Sequence, residues 1–284
     1  MGNRVKALSF EIDGQARYGI IADDGIHGAS DDFLERYPDL RSVLDGDALS
    51  ALQHELSGTV IAAESIAYLP SIPNPEKIIC VGVNYRPHVE EMGRDIPDHP
   101  VLFVRFAESL VGHQASIVKP SASEQYDFEG ELAIVIGRKA RHIDRDNALE
   151  YVAGYTCFMD GSIRDWQKHT HQFTPGKNFD RSGAIGPMLL TADEVADPER
   201  LSLTTRVNGQ IMQEGKIDEL IFDIPTLVEY CSTFAELVPG DIIATGTPGG
   251  VGAARTPPIW LRDGDSVEVD IGPVGCLQNT VCDE

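Results

Sequence analysis

Positive charge is scarce in this chain. Lysine and arginine number 23 against 45 aspartates and glutamates, a net charge of −22. A surface that acidic repels nucleic acid and anionic membranes, so neither is expected as a partner. It also repels an anionic substrate, so any acid-binding site must supply local cations. Long apolar runs are missing as well; none reaches the ~18 residues that suggest a membrane span. The opening residues, MGNRVKALSFEIDG, turn polar at Glu11 without an extended apolar segment, which argues against a signal peptide. Lys6 stands where N-myristoylation wants Ser or Thr. Cysteine is sparse and dispersed: Cys80, Cys157, Cys231, Cys276 and Cys282 stand singly, with no CxxC pair. An odd count without a framework points to reduced thiols and a cytoplasmic location. No internal repeat or low-complexity tract is present.

What remains is a chain of 284 residues, 42% of them hydrophobic, long enough for one large domain or a large and a small one. Short strands are expected over residues 4–30, with turns at Asp13-Gly14 and Asp24-Gly25. Leu40, Val43, Leu44, Leu49, Leu52 and Leu56 recur at helical spacing, with Asp39 as a cap and Gly46 as a break between two helices. Three prolines in residues 69–75 read as a linker closing a small N-terminal α+β domain, residues 1–70. The remainder, 71–284, carries many short strands and few helices. It includes a hairpin turn at Asn208-Gly209 and a helix over 224–234. That pattern argues for a β-rich α+β domain, not a βαβ sheet.

The chemistry centres on residues 126–137, YDFEGELAIVIG. Leu132 to Ile136 is an uninterrupted apolar run, as in a strand buried on both faces. Glu129 and Glu131 stand at its mouth. Residues two apart on a strand share a face, so the two carboxylates lie side by side against a hydrophobic interior. Each is costly to desolvate and the two repel. Either one is protonated or a cation sits between them, and hard oxygen ligands favour Mg²⁺, Mn²⁺ or Ca²⁺. A solvated strand end is the plainer alternative.

Further along, Pro87 suits the first turn of a helix that puts His88 and Glu91 on one face. A carboxylate beside an imidazole is the arrangement of a general base, or simply a surface pair. The glycine-rich TGTPGGVG at 245–252 lacks the Lys-Ser/Thr of a phosphate loop and reads as a tight active-site loop. His169-Thr170-His171 reads as a polar loop more readily than as a metal site.

Taken together, nine blocks in order resemble the fumarylacetoacetate hydrolase family over residues 77–281. They are VGVNYRPHVEEMG, PVLFVR, YDFEGELAIVIG, GYTCFMDGSIRDWQ, GKNFD, GPMLLTADE, VNGQIMQEG, FDIPTLVEY and PGDIIATGTPGGVG. The resemblance implies a mixed β-sandwich roll, one Mg²⁺ or Mn²⁺, and a homodimer. It places the metal carboxylates on Glu129, Glu131 and Asp160, and the His–Glu dyad on His88 and Glu91. The active-site lysine falls on Lys177, the glutamine on Gln167, the arginine on Arg164 and the threonine on Thr247. Tyr85 and Arg105, beside the expected pocket, join Arg164 and Thr247 as substrate-binding candidates. Departures from the family pattern at Pro87, Arg105-Phe106, Gly161 to Ile163 and Arg181 bear on substrate identity.

The activity this implies is metal-dependent hydrolysis of a carbon–carbon bond in a small anionic 2,4-dioxo acid. His88 would activate water, with Lys177 and Gln167 holding the developing oxyanion. Decarboxylation of oxaloacetate-type acids and isomerisation of hydroxymuconate-type acids are the alternatives, because each route passes through an enolate. A non-enzymatic acid-binding protein is the alternative of a different class. It would be expected to lack the dyad or a ligand.

Overall fold

The computed structural model describes residues 5–91 and 95–284; the side chains of residues 88, 90 and 91 are also outside the described set. A twelve-stranded mixed sheet runs through the whole molecule. Its main path starts with the N-terminal strands Leu56–Ile61, Gly25–Ala29, Gln15–Ala22 and Lys6–Ile12. It continues through Gly183–Thr191, Val152–Met159, Gly130–Ile136, Ile242–Ala244, Ile78–Gly82 and Val101–Arg105. A five-stranded sheet packs against it, in the order Gln210–Lys216, Ser202–Val207, Ser266–Asp270, Cys276–Asp283 and Ser116–Lys119. This is the sheet-rich α+β architecture expected.

The strand Gly130–Ile136 explains the apolar run. All seven residues are buried. Leu132, Ile134 and Ile136 enter one core with Leu203, Val267, Val269 and Leu277 of the five-stranded sheet. Ala133 and Val135 enter a second core on the opposite face with Phe158 and Leu189. Alternate side chains thus serve two layers, which is why every position from Leu132 to Ile136 is apolar. Gly130 faces the smaller sheet, where a Cβ would come within 2.1 Å of Thr205 Oγ1. Only glycine allows the two sheets to close there.

Residues 69–75 connect the N-terminal strands to Ile78–Gly82 of the same twelve-stranded sheet. Lys6–Ile12 pairs antiparallel with Gly183–Thr191, joining the N-terminal strands to the large sheet. Phe33, Leu40 and Val43 share a core with Cys80 and Phe158. The proline-rich stretch 69–75 is partly buried: Ile72 belongs to the same core, and the Ser71 hydroxyl is 3.0 Å from that of Thr156. Pairing of this kind covers what would otherwise be an open sheet edge. The capping and turn signals appear as expected. Asp39 caps Leu40–Asp45 in a capping box, and Gly46 ends that helix. Asn208 and Gly209 both have positive φ at the hairpin turn, and Ile224–Phe234 is a helix capped by Asp223. No helix among the described residues is long and apolar enough to cross a membrane.

Candidate metal centre and active site

Three antiparallel registers assemble the site. Gly130 pairs with Met159, so the next step brings Asp160 opposite Glu129, and the Asp160 N–H donates to the Glu129 carbonyl at 2.8 Å. Ala133 pairs with Ala244 on the other side. That register carries Gly246 opposite Glu131, and the Gly246 N–H donates to Glu131 Oε2 at 2.9 Å. Gly246 has φ +107°, and a Cβ there would lie 2.9 Å from Asn84 Cβ; the loop can approach the carboxylate only as glycine. The short pair Tyr126–Asp127 with Ser162–Ile163 closes the third side.

The result is a triad of buried carboxylates. Glu129, Glu131 and Asp160 each offer an oxygen within 4.8 Å of the others. Lys177 lies beside them, its Nζ donating to Glu129 at 2.7 Å, Asp160 at 2.6 Å and Ser162 Oγ at 2.6 Å. Arg164 Nε donates to Asp127 at 2.7 Å and its Nη2 lies 2.6 Å from Glu129 Oε1. Arg105 holds Asp160 from behind at 2.6 Å. Burial lowers the Lys177 pKa, but the Asp160 and Glu129 charges outweigh it and hold the ammonium above its ordinary value. Lys177 therefore stays charged. Among the described residues, Glu131 has no ion-pair partner. Burial, and then the Asp160 and Glu129 charges, push its carboxyl well above the usual range. A buried carboxylate with one backbone donor and two anionic neighbours fits a divalent cation, and the all-oxygen donor set fits a hard one.

The triad opens into a cavity of about 430 Å³. Glu129, Glu131, Lys177, Arg164 and Thr247 contribute polar surface. Gln167, Lys168, Thr170 and His171 line it too, and Val81, Val83, Phe103, Phe173 and Val251 supply apolar wall. The glycine-rich loop thus lines a cavity, as expected. Thr247 Oγ1 donates to the Gly130 carbonyl at 2.9 Å and accepts from Gln213 Nε2 at 2.8 Å. Gln167 Oε1 accepts from Arg164 Nη1 at 2.9 Å, and the Gln167 amide nitrogen has no partner among the described residues.

Arg105 does not line the cavity, and its five N–H groups are all engaged, by Asp160, the Gly161 carbonyl, Ser109 twice, and Ser182. It is a positioning residue for Asp160. Tyr85 is fully buried and packs against Gly215; it does not line the cavity, but its hydroxyl feels the Glu131 charge and has no hydrogen-bond partner among the described residues. Lys177 lines the cavity and directs its three N–H groups to Glu129, Asp160 and Ser162. His88 and Glu91 fall on the helix Arg86–Glu91, with their side chains outside the described residues.

Two residues were not singled out from sequence. Asp127 is buried and accepts from Arg164, Phe128 N, Gly252 N and Ala253 N, tying the glycine-rich loop to the triad. Its signal was present, since it shares the strand mouth with Glu129 two residues on. Gln213 links Gly130 N, Thr247 and the Pro248 carbonyl from the other sheet; nothing local in the sequence marks it.

Residues 77–282 match the family model of the fumarylacetoacetate (FAA) hydrolase C-terminal domain. The chain is 43% identical to an oxaloacetate tautomerase, YisK, of Bacillus subtilis over 232 residues, 80% of this chain and 77% of that protein. Among solved structures it resembles a fumarylacetoacetate hydrolase of Exiguobacterium antarcticum, with TM-score 0.84 and 34% identity over 99% of this chain and 100% of the other. A 5-carboxymethyl-2-hydroxymuconate delta-isomerase of Mycobacterium smegmatis is similar at TM-score 0.81 and 30% identity, over 99% and 100%. The chain belongs to the fumarylacetoacetate hydrolase family.

Proposed function

We propose that this protein interconverts the keto and enol forms of a small 2-oxo acid of the oxaloacetate type, with Mg²⁺ or Mn²⁺ held by Glu129, Glu131 and Asp160. The observation that carries the chemistry is the convergence of three buried carboxylates within 4.8 Å beside a cavity. Among the relatives described, the highest identity goes to a tautomerase, and this favours enolisation over the carbon–carbon hydrolysis expected from the sequence. An isomerase with the same fold is consistent with proton transfer at such a site.

A divalent cation bound here supplies Lewis-acid polarisation of the 2-oxo group, which acidifies the C3 protons. The protein's own groups do the rest. Arg105 and Lys177 orient Asp160, and Lys177 and Arg164 orient Glu129, so the ligand oxygens are pre-organised. The Gln167 amide and the uncommitted N–H groups of Arg164 receive the substrate carboxylate, and Thr247 borders it. His88, the base of the expected His88–Glu91 dyad, takes the proton from C3 and as imidazolium returns it to the 2-oxygen.

The test follows the ultraviolet absorbance of enol-oxaloacetate. Enol decay faster than buffer is expected with Mg²⁺ or Mn²⁺, abolished by a chelator and restored by either ion. Decay at the buffer rate in metal-loaded protein, with faster release of pyruvate from an acylpyruvate, would overturn tautomerisation in favour of hydrolysis. The hydrolase reading is supported by the Exiguobacterium structure. We also propose a homodimer in the cytoplasm; a sedimentation mass near a single 31.0 kDa chain would contradict the dimer.

A further inference from the structure

We propose that Lys168 is the specificity-determining residue for a second, distal carboxylate on the substrate. The inference rests on the 2-oxo acid reading above and goes beyond it in naming what selects a diacid.

Charge is the first argument. The carboxylates of Asp127, Glu129, Glu131 and Asp160 face the cations Arg105, Arg164 and Lys177. With every group ionised, that leaves one negative charge. A divalent cation makes it one positive charge, which a single substrate carboxylate neutralises. A second carboxylate has nothing left to meet at the floor. It must find its own cation, in a protein whose net charge of −22 opposes a dianion.

Position is the second argument. Among the described residues, the lysines and arginines lining the cavity are Arg164, Lys168 and Lys177. Arg164 and Lys177 are both bound to carboxylates at 2.6–2.7 Å. Lys168 has no carboxylate partner among the described residues. It directly follows the helix Arg164–Gln167, whose first residue grips Glu129 and whose last residue has no partner for its amide nitrogen among the described residues. Four residues of helix rise about 6 Å, which is close to the length of a four-carbon diacid. A substrate with its 2-oxo acid end at the triad would extend past Gln167 and present its other carboxylate to Lys168. His171 lines the cavity on the same loop and can add a hydrogen bond, whereas Val81, Val83 and Phe103 offer none.

The experiment compares oxaloacetate with its 4-methyl ester in Mg²⁺-loaded protein, for the parent, Lys168→Met and Lys168→Arg. The parent should prefer the diacid. In Lys168→Met the ratio of kcat/KM values, diacid over ester, should fall roughly 10–100-fold, the range for a lost charge-assisted hydrogen bond, with the loss in KM more than kcat. Lys168→Arg should recover most of the preference. Equal losses on both substrates would assign Lys168 a structural role and overturn the proposal, as would an unchanged ratio. Calorimetry with 3,3-difluoro-oxaloacetate, which cannot enolise, and its 4-methyl ester provides a readout independent of turnover. If the parent tautomerises neither substrate, the assigned reaction fails, while the calorimetric ratio still decides the role of Lys168.

Discussion

Arg105 and Asp160 meet at 2.6 Å with both side chains wholly removed from solvent. The pair stands behind the site, not in it. It explains how the Asp160 carboxylate is held in place within the triad from a strand end. Leaving a buried charge with no partner typically costs about 3–5 kcal/mol, but Asp160 keeps Lys177 at 2.6 Å. Arg105→Met should therefore lower unfolding free energy by less than that, about 1–3 kcal/mol, in urea titrations. Arg105→Lys should recover only part, since an ammonium has three donors for five acceptor contacts. An unchanged urea midpoint in Arg105→Met would show that the pair contributes nothing.

Glu131 tests the metal site from the opposite direction. It is buried beside two other carboxylates, with no ion-pair partner among the described residues. Glu131→Gln keeps the shape and the acceptor for Gly246 N–H but removes the repulsion. The metal-free variant should be more stable than the metal-free parent by about 1–3 kcal/mol. The rise in melting temperature that Mg²⁺ gives the parent should disappear. A variant that is less stable and still responds to Mg²⁺ would exclude Glu131 as a ligand.

His88 is assigned as the base. General-base help is worth ~10²–10⁴-fold in rate. His88→Ala should lower kcat for tautomerisation by that factor while calorimetric Mg²⁺ binding persists. Glu91→Gln should do the same less severely. Parent-like kcat in both variants would remove the dyad from the mechanism.

His113 sets an acid limit on stability. Burial pushes its imidazole down to about 4. Its Nδ1 accepts from Gln278 N–H at 3.0 Å and its ring meets the edge of Tyr68, so it joins the N-terminal strands to the last strand in the neutral form. A depressed folded pKa means the unfolded chain binds the proton more readily. The contribution is complete above the ordinary value of 6.5 and is lost as pH falls from 6.5 towards 4. After allowance for partial exposure it amounts to about 1–2 kcal/mol. His113→Asn, which can still accept from Gln278, should show a shallower decline in urea stability across that window. Coincident pH profiles for parent and variant would place the acid sensitivity elsewhere.

Local patterns determined a good deal of this molecule. Five apolar residues from Leu132 to Ile136 require burial on both faces, and both cores are there. Asn208-Gly209, Asp39 and Gly46 each specify a backbone shape through their own side chains or lack of one, so turn and caps fell where their chemistry demands. Glu129 and Glu131 share a face because a strand repeats every two residues. The similarity across nine blocks extended that reading to Asp160. What tertiary structure alone decided is which groups meet and which donors are left over. Asp160 stands across from Glu129 because of the register of two strands. Arg105 looks like a substrate cation from its place at a strand end, yet five acceptors from three separate segments use up its donors. The N-terminal strands, divided from the rest by three prolines, join the large sheet through a partner more than 170 residues away in sequence. Periodicity and capping act over a few residues and are written where they act. Hydrogen-bond commitment and strand register depend on neighbours distant in the chain, and only the folded molecule brings those neighbours together.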